Sequence, residues 1–235
     1  MRLAIMQPYF FPYLGYWQLI NAVDKYVIYD DVNFINRSFI NRNYILLKDN
    51  PKRINLQLKE ASQNKLINEV EISQDRKWKD DFLKTLSLCY QKAPYYLEVF
   101  PIIQGIINYE DSNLAKYLEH SIREVCKYLS IDTEILLSSA INKDNSLRGQ
   151  DKILSICQVM GALEYYNAIG GVQLYSQEAF SARGIKLNFL KSHDIHYAQF
   201  NENFISRLSI IDVLMFNSKE KVSELLKEYE LINSP

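Results

Sequence analysis

Glycine is scarce in this chain, 7 residues in 235, and the motifs built on it are missing. There is no G-x-G-x-x-G, no Walker loop and no G-x-S-x-G elbow, so the glycine-based signatures of dinucleotide, triphosphate and α/β-hydrolase chemistry are excluded. Each glycine that does occur marks a position expected to need one. Cysteine is limited to Cys89, Cys126 and Cys157, far apart and without a C-x-x-C pair. That spacing excludes a zinc ribbon and reads as buried thiols in a reducing compartment. No run of about 18 apolar residues is present, and the N-terminus lacks the basic and apolar regions of a signal peptide, so no transmembrane segment is expected and the expected location is cytoplasmic. Charge of one sign is also lacking. The formal net charge is -1, which argues against a nucleic-acid partner held by phosphate neutralisation. Of three histidines, His193 and His196 stand i, i+3 in a loop with no third ligand in view, so no metal and no cofactor are expected.

Aromatic residues are abundant: 17 Tyr and 11 Phe. They crowd into MQPYFFPYLGYWQLI, residues 6–20, which follows a short apolar run. RLAIMQ reads as a buried strand ended by Pro8, and Pro8 and Pro12 keep the next residues out of regular helix. From Gly15 the spacing of Tyr16, Leu19, Ile20 and Val23 suits a helix, and YVIY then gives a second strand closed by Asp30 and Asp31. The outline is a βαβ unit. NYILL and RINLQL, separated by a Lys-Asp-Asn-Pro turn, predict a β-hairpin. Residues 73–128 read as helix broken at Pro94 and Pro101. TEILLSSA, YYNAIGG and IKLNFLK read as strands, and DKILSICQVMGA, SQEAFSARGI and LSIIDVLMFN as helices. KEKVSELLKEYELI reads as an exposed tail helix. The fold class expected is α/β: a mainly parallel sheet with helices on both faces, a β-hairpin excursion and a helical middle segment. One domain is expected over 1–235, with a helical insertion or cover at about 73–130.

Ligands of open parallel sheets bind at the carboxyl ends of the strands. Gln7, the Asp30–Asp31 pair, the Gly170–Gly171 pair, and His196 with Gln199 all fall at such ends. Tyr9, Tyr13, Gly15 and Tyr16 present rings, hydroxyls and a close-approach position suited to a sugar or base, and Tyr175 follows the glycine pair. The alternative for these rings is core packing. Arg37, Asn41, Arg42 and Asn43 form a compact donor set suited to phosphate or carboxylate, with an internal ion pair to the aspartates as the alternative. Asp30, Asp31 and His196 are the candidate bases. The strand, proline loop and helix start also resemble nucleotidylyltransferase-like folds in layout, although Tyr13-Leu14-Gly15-Tyr16 stands where those carry His-x-Gly-His.

IMQPYFFPYLGYWQLINAVDKYVIYDDVNFINRSFINRN, LRGQDKILSICQVMGALEYYNAIGGVQLYSQEAFSARGIKL, HYAQ and FISRLSIIDVLMFN together resemble the WbqC-like protein family along nearly the whole chain. The resemblance implies a part in bacterial surface polysaccharide (O-antigen, lipopolysaccharide) biosynthesis. It points to a transferase placing an acyl or aminoacyl group on a nucleotide-linked amino sugar, with that sugar and an acyl donor as small-molecule partners. A homo-oligomer is compatible with it. A non-catalytic scaffold for glycan-assembly enzymes and an ATP-using nucleotidylyltransferase-like enzyme are the alternatives. The chain departs from the family pattern at Gly149-Gln150-Asp151, where a Gly-Lys-Thr-like tripeptide is expected, with Lys152 beside it.

Overall fold

The computed structural model describes residues 1–233. Its centre is a six-stranded sheet made of β1 (Arg2–Met6), β2 (Lys25–Ile28), β7 (Glu134–Leu137), β8 (Glu164–Ala168), β9 (Lys186–Ser192) and β10 (Tyr229–Asn233). The strand order is β10-β9-β8-β1-β2-β7, parallel throughout except for β10, which runs antiparallel to β9. The expected α/β class with a mainly parallel sheet is the observed one. The chain moves outward from β1 to β2 and β7, then returns to β8 on the other side. The switch point therefore lies between β1 and β8.

β1 alternates its side chains between two cores, as strand geometry requires. Leu3 and Ile5 face α5 (Gly149–Val159) and α6 (Gln177–Ser181) through Ile153, Ile156, Cys157 and Phe180. Ala4 faces the larger layer, which holds α1 (Leu14–Asn21), α2 (Arg76–Tyr90), α3 (Tyr96–Asn108), α4 (Leu114–Leu129), α7 (Ile210–Phe216) and α8 (Lys219–Leu225). A strand covered on both faces is apolar throughout, which is why RLAIM shows no polar alternation. The predicted hairpin is β3 (Arg42–Leu47) against β4 (Asn50–Asn55). A smaller pair, β5 (Leu58–Lys59) and β6 (Glu71–Ile72), follows it.

Two expectations are corrected. Pro101 does not break the middle helices but lies inside α3. The carbonyl it leaves without a helical donor is that of Leu97, an 87% exposed residue, where water can satisfy it. The tail is not one helix: α8 stops at Leu225, and YELIN pairs with β9 as the edge strand β10. A row of main-chain hydrogen bonds on an open sheet edge outweighs the weak helical preference of those residues. The three cysteines are buried, and burial pushes Cys89 up to about 11 and Cys126 and Cys157 to about 12. Thiols so protonated are poor nucleophiles at neutral pH.

The aromatic loop is largely core. Phe10, Phe11 and Trp17 are fully buried and Tyr16 nearly so, with Phe10 edge-on to Phe11 at 4.8 Å and to Phe82 at 5.9 Å. Its backbone carbonyls, which lie outside the sheet ladders, are claimed individually. Asn43 Nδ2 donates to the carbonyls of Phe10 (3.1 Å) and Phe11 (2.7 Å), Ser209 Oγ donates to Phe11 (2.7 Å), and Trp17 Nε1 donates to Pro12 (3.1 Å). Phe11 sits at φ 43°, a left-handed conformation that persists because its carbonyl is held from two sides. Asn43→Ala is therefore expected to cost about 2–4 kcal/mol in urea unfolding, since it strips a buried carbonyl of its donor and removes the acceptor of the Tyr44 N–H. A loss below about 0.5 kcal/mol would show that water replaces the side chain.

Candidate functional site

β2 ends in two carboxylates that do different work. Asp30 is 1% exposed, with one oxygen accepting from the Ser139 N–H (2.9 Å) and the other from Ser139 Oγ (2.5 Å) and Asn68 Nδ2 (3.3 Å). It ties the end of β2 to the end of β7 and to the turn at 67–69. Asp31 points the other way, as alternation along an extended segment requires. Its Oδ2 is shared by Lys143 Nζ (2.8 Å) and Lys152 Nζ (3.1 Å), and both ammonium groups are almost completely buried. Lys143 also donates to the Ser138 carbonyl, and Lys152 to the Asp31 carbonyl at 2.8 Å while standing 5.2 Å above the Tyr29 ring. Burial opposes ionisation of Asp31, but the two lysines outweigh it and hold the carboxyl below its ordinary value.

Asp31 and Lys152 line a cavity of about 370 Å³ at the carboxyl ends of β2 and β7, together with Tyr29, Asn68, Ser139, Arg148 and Gly149, while Asp30 and Lys143 stand outside the lining. The first turn of α5 opens into it. Gly149 begins that helix at φ 52°, and no side chain caps its free N–H groups. Arg148 lines the cavity without a carboxylate: among the described residues the arginine ion pairs are Arg2–Asp24 and Arg123–Glu119. Of the charged residues in the lining, Lys152 and Arg148 stand against Asp31 alone, beside the positive end of a helix. The arrangement suits a phosphate or carboxylate.

A second polar cluster, outside that lining, is tied to the first turn of α5. Ser176 N–H donates to Gln150 Oε1 (2.6 Å), joining the loop after β8 to the first turn of α5. Asn167 Nδ2 donates to the hydroxyls of Tyr165 (2.8 Å) and Tyr175 (3.3 Å). Gly170 and Gly171 are the second and third residues of the short 3-10 turn Ile169–Leu174 that follows. A Cβ on Gly171 would lie 2.7 Å from Asn167 Oδ1, so this close approach needs glycine.

The remaining predicted residues do not all meet here. Gln7 is half-buried, and its carbonyl accepts from the Tyr16 hydroxyl (3.0 Å). Tyr9, Tyr13, Gly15, Arg37 and Arg42 lie around the aromatic loop and none of them lines the cavity. The ion pair weighed between these arginines and Asp30 or Asp31 does not form. Asn41 donates to the Leu56 carbonyl, and Asn43 is the loop clamp described above. His196 is exposed on the segment between β9 and α7, 3.3 Å from Asp194 and packed on Phe204. Gln199 binds Asp212 Oδ2 (2.8 Å), which also accepts from the Tyr197 hydroxyl (2.7 Å). Arg148, Lys143 and Asp212 were not singled out by the sequence. The one available signal was three cations within ten positions, Lys143 to Lys152, around a glycine helix start.

Among the described residues no helix is long and apolar enough to cross a membrane. The WbqC-like protein family matches the chain over residues 7–224. A protein of Mycobacterium tuberculosis (strain ATCC 25618 / H37Rv), described as the uncharacterized protein Rv1507c, is 24% identical over 230 residues. That alignment covers 96% of this chain and 97% of the relative. No solved structure matches.

Asp31→Asn leaves two buried ammonium groups without their counter-charge, and a loss of about 3–5 kcal/mol at pH 7 is expected. The folded-state pKa of Asp31 lies below its unfolded value near 3.8, so its contribution is complete above that pH and fades as pH falls through the lower, folded value. In urea titrations the gap between wild type and Asp31→Asn should therefore close in acid. A gap that stays constant below pH 3.8 would mean that the carboxylate does not carry the charge balance.

Proposed function

The chain belongs to the WbqC-like protein family, and from that premise we propose that it is a transferase of bacterial surface polysaccharide biosynthesis. In this reading it places an acyl or aminoacyl group on the amine of a nucleotide-linked sugar. The observation that carries the reading is the cation-lined cavity at the carboxyl ends of β2 and β7. Arg148, Lys152 and the open first turn of α5 would grip the diphosphate, because a guanidinium fork, an ammonium group and free backbone N–H groups all bind phosphate oxygens. Lys152 has two of its three N–H donors engaged and one left for a ligand. In the transfer, the sugar nitrogen attacks the acyl carbon, the bond from that carbon to the donor's leaving group breaks, and the proton lost by the nitrogen departs with that leaving group. Asp30 is enclosed by Ser139 and Asn68, and Asp31 is made a weak base by its two lysines. Both therefore serve to position neighbouring groups, and the polar cluster of Asn167 and Tyr175 is where sugar hydroxyls would be read.

A second reading is favoured by one feature, the strand order. Read from β7, the sheet runs β7-β2-β1-β8-β9, the doubly wound arrangement that nucleotide-binding enzymes use. ATP-dependent pyrophosphate release would bring that reading forward.

The test is thermal unfolding against a panel of nucleotide sugars, free nucleotides and sugars. A nucleotide-linked amino sugar at about a hundred times its dissociation constant should add about 2.7 kcal/mol of stability. Arg148→Ala should weaken that binding about 10- to 100-fold, the worth of one charge-assisted contact. A wild-type protein indifferent to every nucleotide sugar would sink the transferase reading and favour a scaffold.

A further inference from the structure

The aromatic loop buries most of its rings but not all. Tyr13 is 40% exposed and Phe39 48% exposed, and Tyr9, half-buried, links to Phe39 at a centroid distance of 6.0 Å. The backbone that carries them is tied to its surroundings. The Phe10 N–H donates to the Phe39 carbonyl (2.9 Å), and the Tyr13 ring lies over the start of α1 in the space a side chain at position 15 would fill, since a Cβ on Gly15 would be 2.5 Å from that ring. Exposed aromatic faces offer a planar ligand a surface on which to stack.

The two chain segments that carry these rings hold charge of one sign. Residues 6–23 carry no charged side chain, and residues 32–47 carry only Arg37 and Arg42. The Arg42 guanidinium donates to the Arg37 carbonyl, and Arg207 acts on the Tyr13 hydroxyl from the segment before α7. None of the three arginines is in an ion pair among the described residues. Arg37 and Arg207 both hold left-handed backbone conformations, φ 59° and 58°. Stackable rings flanked by unneutralised guanidinium groups match a ligand with a flat ring and a negative tail. None of the six residues lines the cavity beside α5.

We propose that Tyr9, Tyr13 and Phe39, with Arg37, Arg42 and Arg207, form a second nucleoside-phosphate site, separate from the cavity. This inference rests on the two-substrate transferase reading, in which the cavity takes the nucleotide-linked sugar and this rim takes the nucleotide portion of the activated acyl donor.

Calorimetric titration with ATP and with UDP-N-acetylglucosamine, on wild type, Phe39→Ser, Arg37→Ala and Arg148→Ala, separates the two. The rim substitutions fall on exposed side chains and should leave the unfolding curve unchanged. Phe39→Ser and Arg37→Ala should each weaken ATP about 10- to 100-fold and spare the nucleotide sugar, while Arg148→Ala should do the reverse. Inorganic pyrophosphate should bind the rim much more weakly than ATP, because it has no ring to stack. The rim proposal is overturned if its variants bind ATP as wild type does, or lose both ligands in parallel. If ATP binding depends on the rim but no nucleotide sugar binds anywhere, the transferase reading fails and the rim stands.

Discussion

Two lysine ammonium groups share one oxygen of Asp31, and the arrangement of the carboxyl edge depends on that contact. A buried ammonium group is tolerated only beside a counter-charge, so the end of β2 decides where Lys143 and Lys152 can lie. Lys152 belongs to the first turn of α5, and Lys143 to the loop leading there from β7. The parallel ladder holds β2 between β1 and β7, so Asp31 is a stationary point. The helix start, Arg148 and the Gln150 contact to Ser176 are placed from it. The cavity is a consequence of charge compensation as much as of shape.

The same device recurs wherever irregular backbone is buried. Asn43 and Ser209 satisfy the carbonyls of the aromatic loop. Asp212, fully buried, gathers the hydroxyls of Tyr90 and Tyr197 and the amide of Gln199, joining α2, the segment after β9 and α7. Burial raises the Asp212 carboxyl, and the three hydrogen bonds oppose that rise. Asn43 and Ser209 thus supply what secondary structure does not, and Asp212 satisfies buried side-chain donors. Loops held this way can keep binding groups rigid, as a site that must meet its ligand preformed requires.

Much of the layered fold was legible in the chain. Continuous apolar runs such as LAI and YVI mark strands buried on both faces, and helical spacing marks the segments between them. YELI was misread because its four residues fit either period, and only the free edge of β9 selects strand. Pro101 was misread because a proline inside a helix is costly in isolation but tolerable where the freed carbonyl meets water. At the site, residue type indicated Asp31 and the glycine pair as polar groups at strand ends. It did not indicate Arg148 or Lys143, which look like ordinary solvated charges until Asp31 draws Lys143 and Lys152 together and the start of α5 sets Arg148 at the cavity.

By itself the sequence determined the alternation of strands and helices, because hydrophobic period is a local property. It also determined the family, through motifs spread along nearly the whole chain. The tertiary structure decided which of two adjacent aspartates braces the sheet and which binds cations, and which rings of MQPYFFPYLGYWQLI fill the core and which face outward. Those choices depend on side-chain direction and on partners more than a hundred residues away, so strand order and packing must exist before they are made.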